Sequence, residues 1–314
     1  MKRSKITILL AIVLGMTFHS CLDLEPQDQL GGKNMWTSVN DYKQFANTFY
    51  SWTRDFSSVV YDGTHSDKRS DLITYQSYNE FSRGINSIPS SDANYTDNYK
   101  HIRRTNLLLQ NAEAYAKPED IKQYIGEAYF FRAYSYFDLL QLYGDVIITK
   151  KPLDITDPEM KVKRNDRSEV VDLIIDDLNH AVENLPAFKE LTTEEEGRIS
   201  KEGAQAFLSR VALYEGTWQK SRNGNQNTQR SANLLDIAAK AARTVIDAKY
   251  GYTFRLFGTD SETKILGDSA QKYMFILENE KSNPAGIKKS SNHEYIFARR
   301  HDQVLASIGK NITQ

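Results

Sequence analysis

The sequence predicts an all-α fold, a string of helical hairpins joined by long irregular loops. Three observations lead there. Between residues 39 and 246, apolar side chains recur at three- and four-residue spacing in successive stretches. The link Lys117-Pro118-Glu119 between two such stretches is short, which favours antiparallel neighbours. The β-branched run Val146-Ile-Ile-Thr149 is followed closely by Pro152, so it reads as an extended connector.

The helices follow in order. Val39, Tyr42, Phe45, Ala46 and Phe49 form the first stripe. Residues 54–98 are rich in Ser, Asp, Asn and Tyr and read as one long irregular segment, of the kind that often carries function. Helical pattern returns from Tyr99 to Ala116, then from near Glu119 to Tyr143, where Gly144 is placed to cap the end. Asp166 or Ser168 caps the next helix, whose stripe runs from Val170 to Leu185 before Pro186. Ser200 caps another, with Ala204, Phe207, Leu208, Val211, Tyr214 and Trp218 on one face. After a polar loop at 220–230, a last helix carries Leu235, Ala238, Ala239, Ala242, Val245 and Ile246. Beyond Gly251 the helical pattern weakens, and residues 273–277 and 293–298 read as short strand-like pieces. Paired helices of this kind resemble degenerate tetratricopeptide-like hairpins, without the strict 34-residue consensus.

Composition bounds the function classes. With 40% hydrophobic and 26% charged residues the chain can bury a core. A net charge of −1 and no basic face argue against nucleic acid. Cys21 is the single cysteine, so no internal disulfide or cysteine-based metal site is expected. The scattered histidines lack His-x-x-x-His spacing, and no calcium loop, phosphate loop or Gly-x-Ser-x-Gly elbow is present. No metal, no cofactor and no catalytic residue is therefore assigned.

The N-terminus reads as an export signal over 1–20. Lys2, Arg3 and Lys5 precede an apolar run at 6–16, which at 1.5 Å per residue reaches only about 16 Å, too short to span a bilayer. A cysteine directly after it resembles a bacterial lipoprotein signal. That resemblance implies lipidation of Cys21 by fatty acyl chains such as palmitate, with 21–35 as a tether. The acidic start Leu22-Asp-Leu-Glu25 resembles a surface-export signal.

The run from Tyr124 to Val146, with Glu127-Ala128, Phe130-Phe-Arg-Ala133, an aromatic stretch and Tyr143-Gly144, resembles the SusD/RagB family of outer-membrane nutrient-binding lipoproteins. Tyr99 to Asn106, Arg167-Ser168 with Asp176-Asp177-Leu178, and Gly197-Arg198-Ile199-Ser200-Lys201 match in the same order. The resemblance implies a helical N-terminal domain over 36–250 and, over 251–314, the start of a C-terminal region that the family usually continues. It implies a cell-surface binding protein in polysaccharide utilisation, not an enzyme, that passes oligosaccharides or other nutrients to a SusC-like TonB-dependent transporter. A helical-repeat scaffold for protein partners is the alternative, and an anchored glycoside hydrolase ranks last.

For ligand binding the irregular segment is preferred, through Tyr61, Asp71, Tyr75, Tyr78, Arg83, Asp92 and Tyr95, since aromatic planes and polar side chains suit sugars. Other residues read as structural. Arg132 lies on an apolar stripe and needs a buried or half-buried ionic partner, and Glu127 shares its helix. Asn106 is expected to bond backbone. Tyr129, Tyr134, Tyr136 and Tyr143, at helical spacing, are expected in the core, ahead of the Gly144 cap.

Overall fold

A computed structural model describes residues 35–54, 84–85, 87–195, 197–222, 228–277 and 281–298. The described residues are helical, with one isolated bridge between Val146 and Asn165 and no strand. The helices are α1 (Val39–Asn47), α2 (Ala93–Glu113), α3 (Lys122–Tyr143), α4 (Arg167–Asn184), α5 (Lys201–Arg222), α6 (Thr228–Ile246) and the short α7 (Ala270–Tyr273). In sequence order, α2 packs on α3, α3 on α4, α4 on α5 and α5 on α6. The all-α class stands.

Local chemistry sets the helix ends. Ser38 and Asp41 form a capping box on α1, with the Ser38 N–H donating to Asp41 Oδ2 at 2.8 Å. Glu169 returns to the Asp166 N–H at 3.2 Å, which selects Asp166 over Ser168 as the cap of α4. Gly144, at φ +71°, ends α3 in a conformation costly for other residues, and its N–H donates to Leu140 O at 3.1 Å. Ser200 Oγ accepts from the Gly203 N–H at 3.3 Å.

Helix α3 is the centre of the body. Its buried residues occupy every face, from Tyr124 to Leu140, as expected of a helix wrapped by neighbours. Phe49, Tyr50, Phe130, Phe131 and Phe207 meet around it with centroids 4.9–5.7 Å apart. Gly126 allows the close approach of α4's end: a Cβ there would lie 2.9 Å from Leu185 Cγ.

Three carboxylates with 0% side-chain exposure pair with arginines and stitch successive elements. Asp177 of α4 takes both Nε and Nη2 of Arg132 from α3, at 2.8 and 2.6 Å. Glu127 of α3 takes Nη1 of Arg198 at 2.7 and 2.8 Å. Glu215 of α5 takes Nε of Arg167 at 2.8 Å. Burial pushes Glu127 and Asp177 up, and the paired arginines oppose that shift. Arg132 Nη1 also donates to Asn106 Oδ1 at 2.8 Å, while Asn106 Nδ2 donates to Thr149 O and Lys151 O at 3.0 and 3.3 Å. Asn106 thus bonds backbone as expected, and pins the connector after α3.

Several expectations are corrected. Helix α2 begins at Ala93, not Tyr99, because Asp92 Oδ1 accepts from the Asn94 N–H at 2.9 Å and caps the chain six residues earlier. The buried face of α6 is Ser231, Leu234, Ala238, Ala241 and Val245; of the expected stripe, Leu235 is half-buried against Gly216, while Ala239 and Ile246, the latter 65% exposed, turn outward. Residues 273–277 and 293–298 are not strands. The first lies at the end of α7 and the turn after it, since no neighbouring strand is there to pair. Of the four tyrosines expected in the core only Tyr136 is fully buried; Tyr129, Tyr134 and Tyr143 are half-buried.

Residues 252–298 form a smaller lobe with its own cluster, Phe257, Leu266, Ala270, Leu277 and Ile287. Arg255 N–H donates to His293 O at 3.1 Å, and Glu294 Oε2 accepts from the Phe257 N–H at 2.8 Å. Phe297 packs against the body, 6.2 Å from Phe130 and 6.4 Å from Tyr50.

Candidate functional site

The candidate site is the end of the α2–α3 hairpin, where the chain leaves at Arg54 and returns before Asp92. Helix α1 runs into a 3-10 turn, Thr48–Trp52, which sets Trp52 against α2. The Trp52 ring stacks on His101 with centroids 4.1 Å apart and planes at 14°. Burial pushes His101 down to about 4, with Arg104 and Lys100 lowering it further and Asp97 and Asp138 opposing. The imidazole is therefore neutral at pH 7.

Beside this stack, Arg54 and Asp138 form an ion pair and the Arg54 N–H reaches Tyr134 Oη at 3.4 Å. Tyr134 and Asp138 lie one turn apart on α3 and are both half-buried. Burial raises the Tyr134 hydroxyl. Further along, Tyr143 donates to Asp92 Oδ2 at 2.6 Å, and Tyr95 lies 4.8 Å from Tyr99 and 5.2 Å from Tyr143. Two clusters of half-buried rings result on the rim of this hairpin, Trp52 and His101 with Tyr134 and the Arg54–Asp138 pair, and Tyr95, Tyr99 and Tyr143 with Asp92. Such a rim can stack on a flat apolar face and hydrogen-bond surrounding hydroxyls.

Of the residues preferred for ligand binding, Asp92 and Tyr95 stand on this rim, one as the α2 cap and one in its first turn, not in an irregular loop. Tyr61, Asp71, Tyr75, Tyr78, Arg83 and Cys21, the residue expected to be lipidated, lie outside the described residues. Trp52, Arg54, His101 and Asp138 were not singled out by sequence. Trp52 and His101 meet through tertiary packing, and no local pattern announces that. Glu127, Arg132, Tyr143 and Gly144 all have structural partners or roles. Among the described residues no group of three His, Cys, Asp or Glu side chains could hold a metal, and no helix is long and apolar enough to cross a membrane.

Residues 22–213 match the SusD-like family, described as starch-binding and associating with the outer membrane. Among curated relatives, the SusD-like protein P38 of Formosa agariphila is 28% identical over 68% of this chain and 42% of its own length. The SusD-like protein P2 of the same organism is 26% identical over 94% of this chain and 59% of its own. The chain thus spans about half the length of these relatives. Among solved structures, a SusD-like protein from Bacteroides fragilis superposes with a TM-score of 0.62 at 22% identity, over 88% of this chain and 48% of that one. Another, solved with a xylogluco-oligosaccharide, gives 0.51 at 21% identity, over 81% and 43%. At these identities the two structures speak for the fold.

Proposed function

The chain belongs to the SusD-like family, and we propose that it is a glycan-binding lipoprotein that delivers oligosaccharides to a SusC-type TonB-dependent transporter in the outer membrane. The observation that supports this most is the Trp52 ring stacked on His101 beside the Arg54–Asp138 pair, with Tyr95 against Tyr143 as a second aromatic cluster of the same hairpin. Rigid rings bind a pyranose face with little entropy to lose, and the neighbouring charges select hydroxyl patterns. The role is capture, not bond cleavage. Tyr61, Asp71, Tyr75, Tyr78 and Arg83 are further proposed ligand contacts in this reading. The description of the family as starch-binding and the relative solved with a xylogluco-oligosaccharide favour neutral glucan chains as ligands.

Acyl chains on Cys21 hold the protein at the membrane. Each buried methylene contributes about 0.8 kcal/mol, so two or three chains anchor it durably. Native electrophoresis of the chain from Asp23 onward, through gels containing soluble starch or xyloglucan, tests capture. The protein is expected to be retarded by at least one polymer and released by Tyr95→Ala; unretarded migration in every glucan gel contradicts the reading. Labelled palmitate is expected to enter the full chain and not Cys21→Ala.

A further inference from the structure

Away from the rim, α4 and α6 enclose a second concave site of about 550 Å³. The two helices start at the same end: Arg230, in the first turns of α6, donates to Ser168 O in the first turn of α4 at 3.0 Å. From α4 the walls take Asp172, Ile175, Asp176 and Asn179, the spacing of one helix face. From α6 they take Gln229, Arg230, Asn233, Leu234 and Ile237. Seven residues of α4 give the channel a length of about 10 Å.

We propose that this channel binds a short stretch of extended polypeptide, an aliphatic side chain next to a lysine or arginine. Four features carry the inference. The floor is Ile175, Leu234 and Ile237, branched aliphatic groups that accept another aliphatic side chain; no aromatic plane lines it to take a sugar face. The rim offers the amides of Asn179, Gln229 and Asn233, each both donor and acceptor, as an extended backbone is. Arg230 is held by Ser168 O and by Asp172 Oδ1 at 2.8 Å, which fixes the guanidinium at the head of the channel and takes up its charge. Arg230 balances only Asp172. Asp176, with 61% of its side chain exposed and the His180 Nε2 3.8 Å away, adds a second carboxylate to the channel and favours a basic residue. At about 3.3 Å per residue, three residues of extended chain fill the length.

The site is separate from the rim, so the proposal stands apart from glycan capture. The test is selection of phage-displayed random dodecapeptides on the full chain, followed by anisotropy of the enriched peptide carrying fluorescein. The expected consensus is Leu or Ile beside Lys or Arg. Asp176→Lys is expected to weaken binding at least tenfold with unchanged far-UV dichroism, and a peptide with Glu in place of its basic residue is expected to recover binding to that variant. Maltoheptaose titration is expected to be the same for Asp176→Lys and the parent chain. No enriched consensus overturns the proposal, as does an enriched peptide indifferent to Asp176→Lys. So does a maltoheptaose affinity that falls in Asp176→Lys, which would make the channel a sugar site.

Discussion

The helical body and the 252–298 lobe solve the same problem by different means. In the body each helix buries an apolar face against the next, and three carboxylate–guanidinium pairs lock neighbouring elements in register. The lobe has one small cluster, two 3-10 turns and the short α7 among irregular chain, and leaves Leu256, Ile265 and Phe275 at 66–76% exposure. It is tied to the body by Tyr252 and Phe254 on Phe188, with centroids 4.5 and 5.1 Å apart, and by Phe297 on Tyr50 and Phe130. The difference teaches that rigidity is concentrated where α3 is wrapped, which is also the element that carries Tyr134, Asp138 and Tyr143 to the rim.

The largest effect that would sharpen this contrast comes from Asp177→Ala. It strands Arg132 with 6% of its side chain exposed, and removing one partner of such a pair costs about 3–5 kcal/mol. Urea unfolding is expected to show that loss; a change below about 1 kcal/mol would break the claim that the pairs lock the body. Gly126→Ala comes next. Its new methyl meets Leu185 at 2.9 Å, so overpacking of about 1–3 kcal/mol is expected from the same measurement.

Phe297→Ala acts on the other region. A loss of about 1–2 kcal/mol of apolar contact loosens the C-terminal side of the lobe while Tyr252 and Phe254 stay on Phe188, and limited proteolysis is expected to cut within 252–298 faster while the body's helicity holds. If the body melted with it, the two regions would be one cooperative unit. The smallest effect is the titration of His101. Its folded value is pushed from 6.5 to about 4, so between those values the unfolded chain holds more protons. Stability is therefore full above pH 6.5 and falls as the pH drops through 4, by about 1 kcal/mol after discounting partial exposure. Urea midpoints across that range are expected to slope less in His101→Phe.

The helical body was legible because α3, α4 and α5 repeat a strong apolar spacing and carry local stop signals such as Gly144 and Pro186. Where the signal was weak the reading drifted. Asp92-Ala-Asn-Tyr95 is polar, so only the cap geometry reveals that α2 starts there. In α6 the alanines at 238, 239, 241 and 242 allow more than one face, and the Ser231 hydroxyl, donating to Gly216 O at 2.7 Å, sits on the side that is buried with Leu234 and Ala241. The aromatic and β-branched composition of 273–277 favours a strand locally, but a strand needs a partner and the lobe supplies none. Arg132 announced a buried partner, whereas naming Asp177 required the fold. The Trp52–His101 stack joins residues far apart in sequence, so the rim's clearest feature was invisible until the helices were packed.

The most direct measurement is calorimetric titration of maltoheptaose and a xylogluco-oligosaccharide into the chain from Asp23 onward and into its Trp52→Ala variant. Saturable binding of at least one sugar to the parent chain is predicted, with affinity at least tenfold lower when Trp52 is removed and far-UV dichroism kept. Equal affinity in both proteins, or no heat from either sugar, would contradict a glycan site at the end of the α2–α3 hairpin.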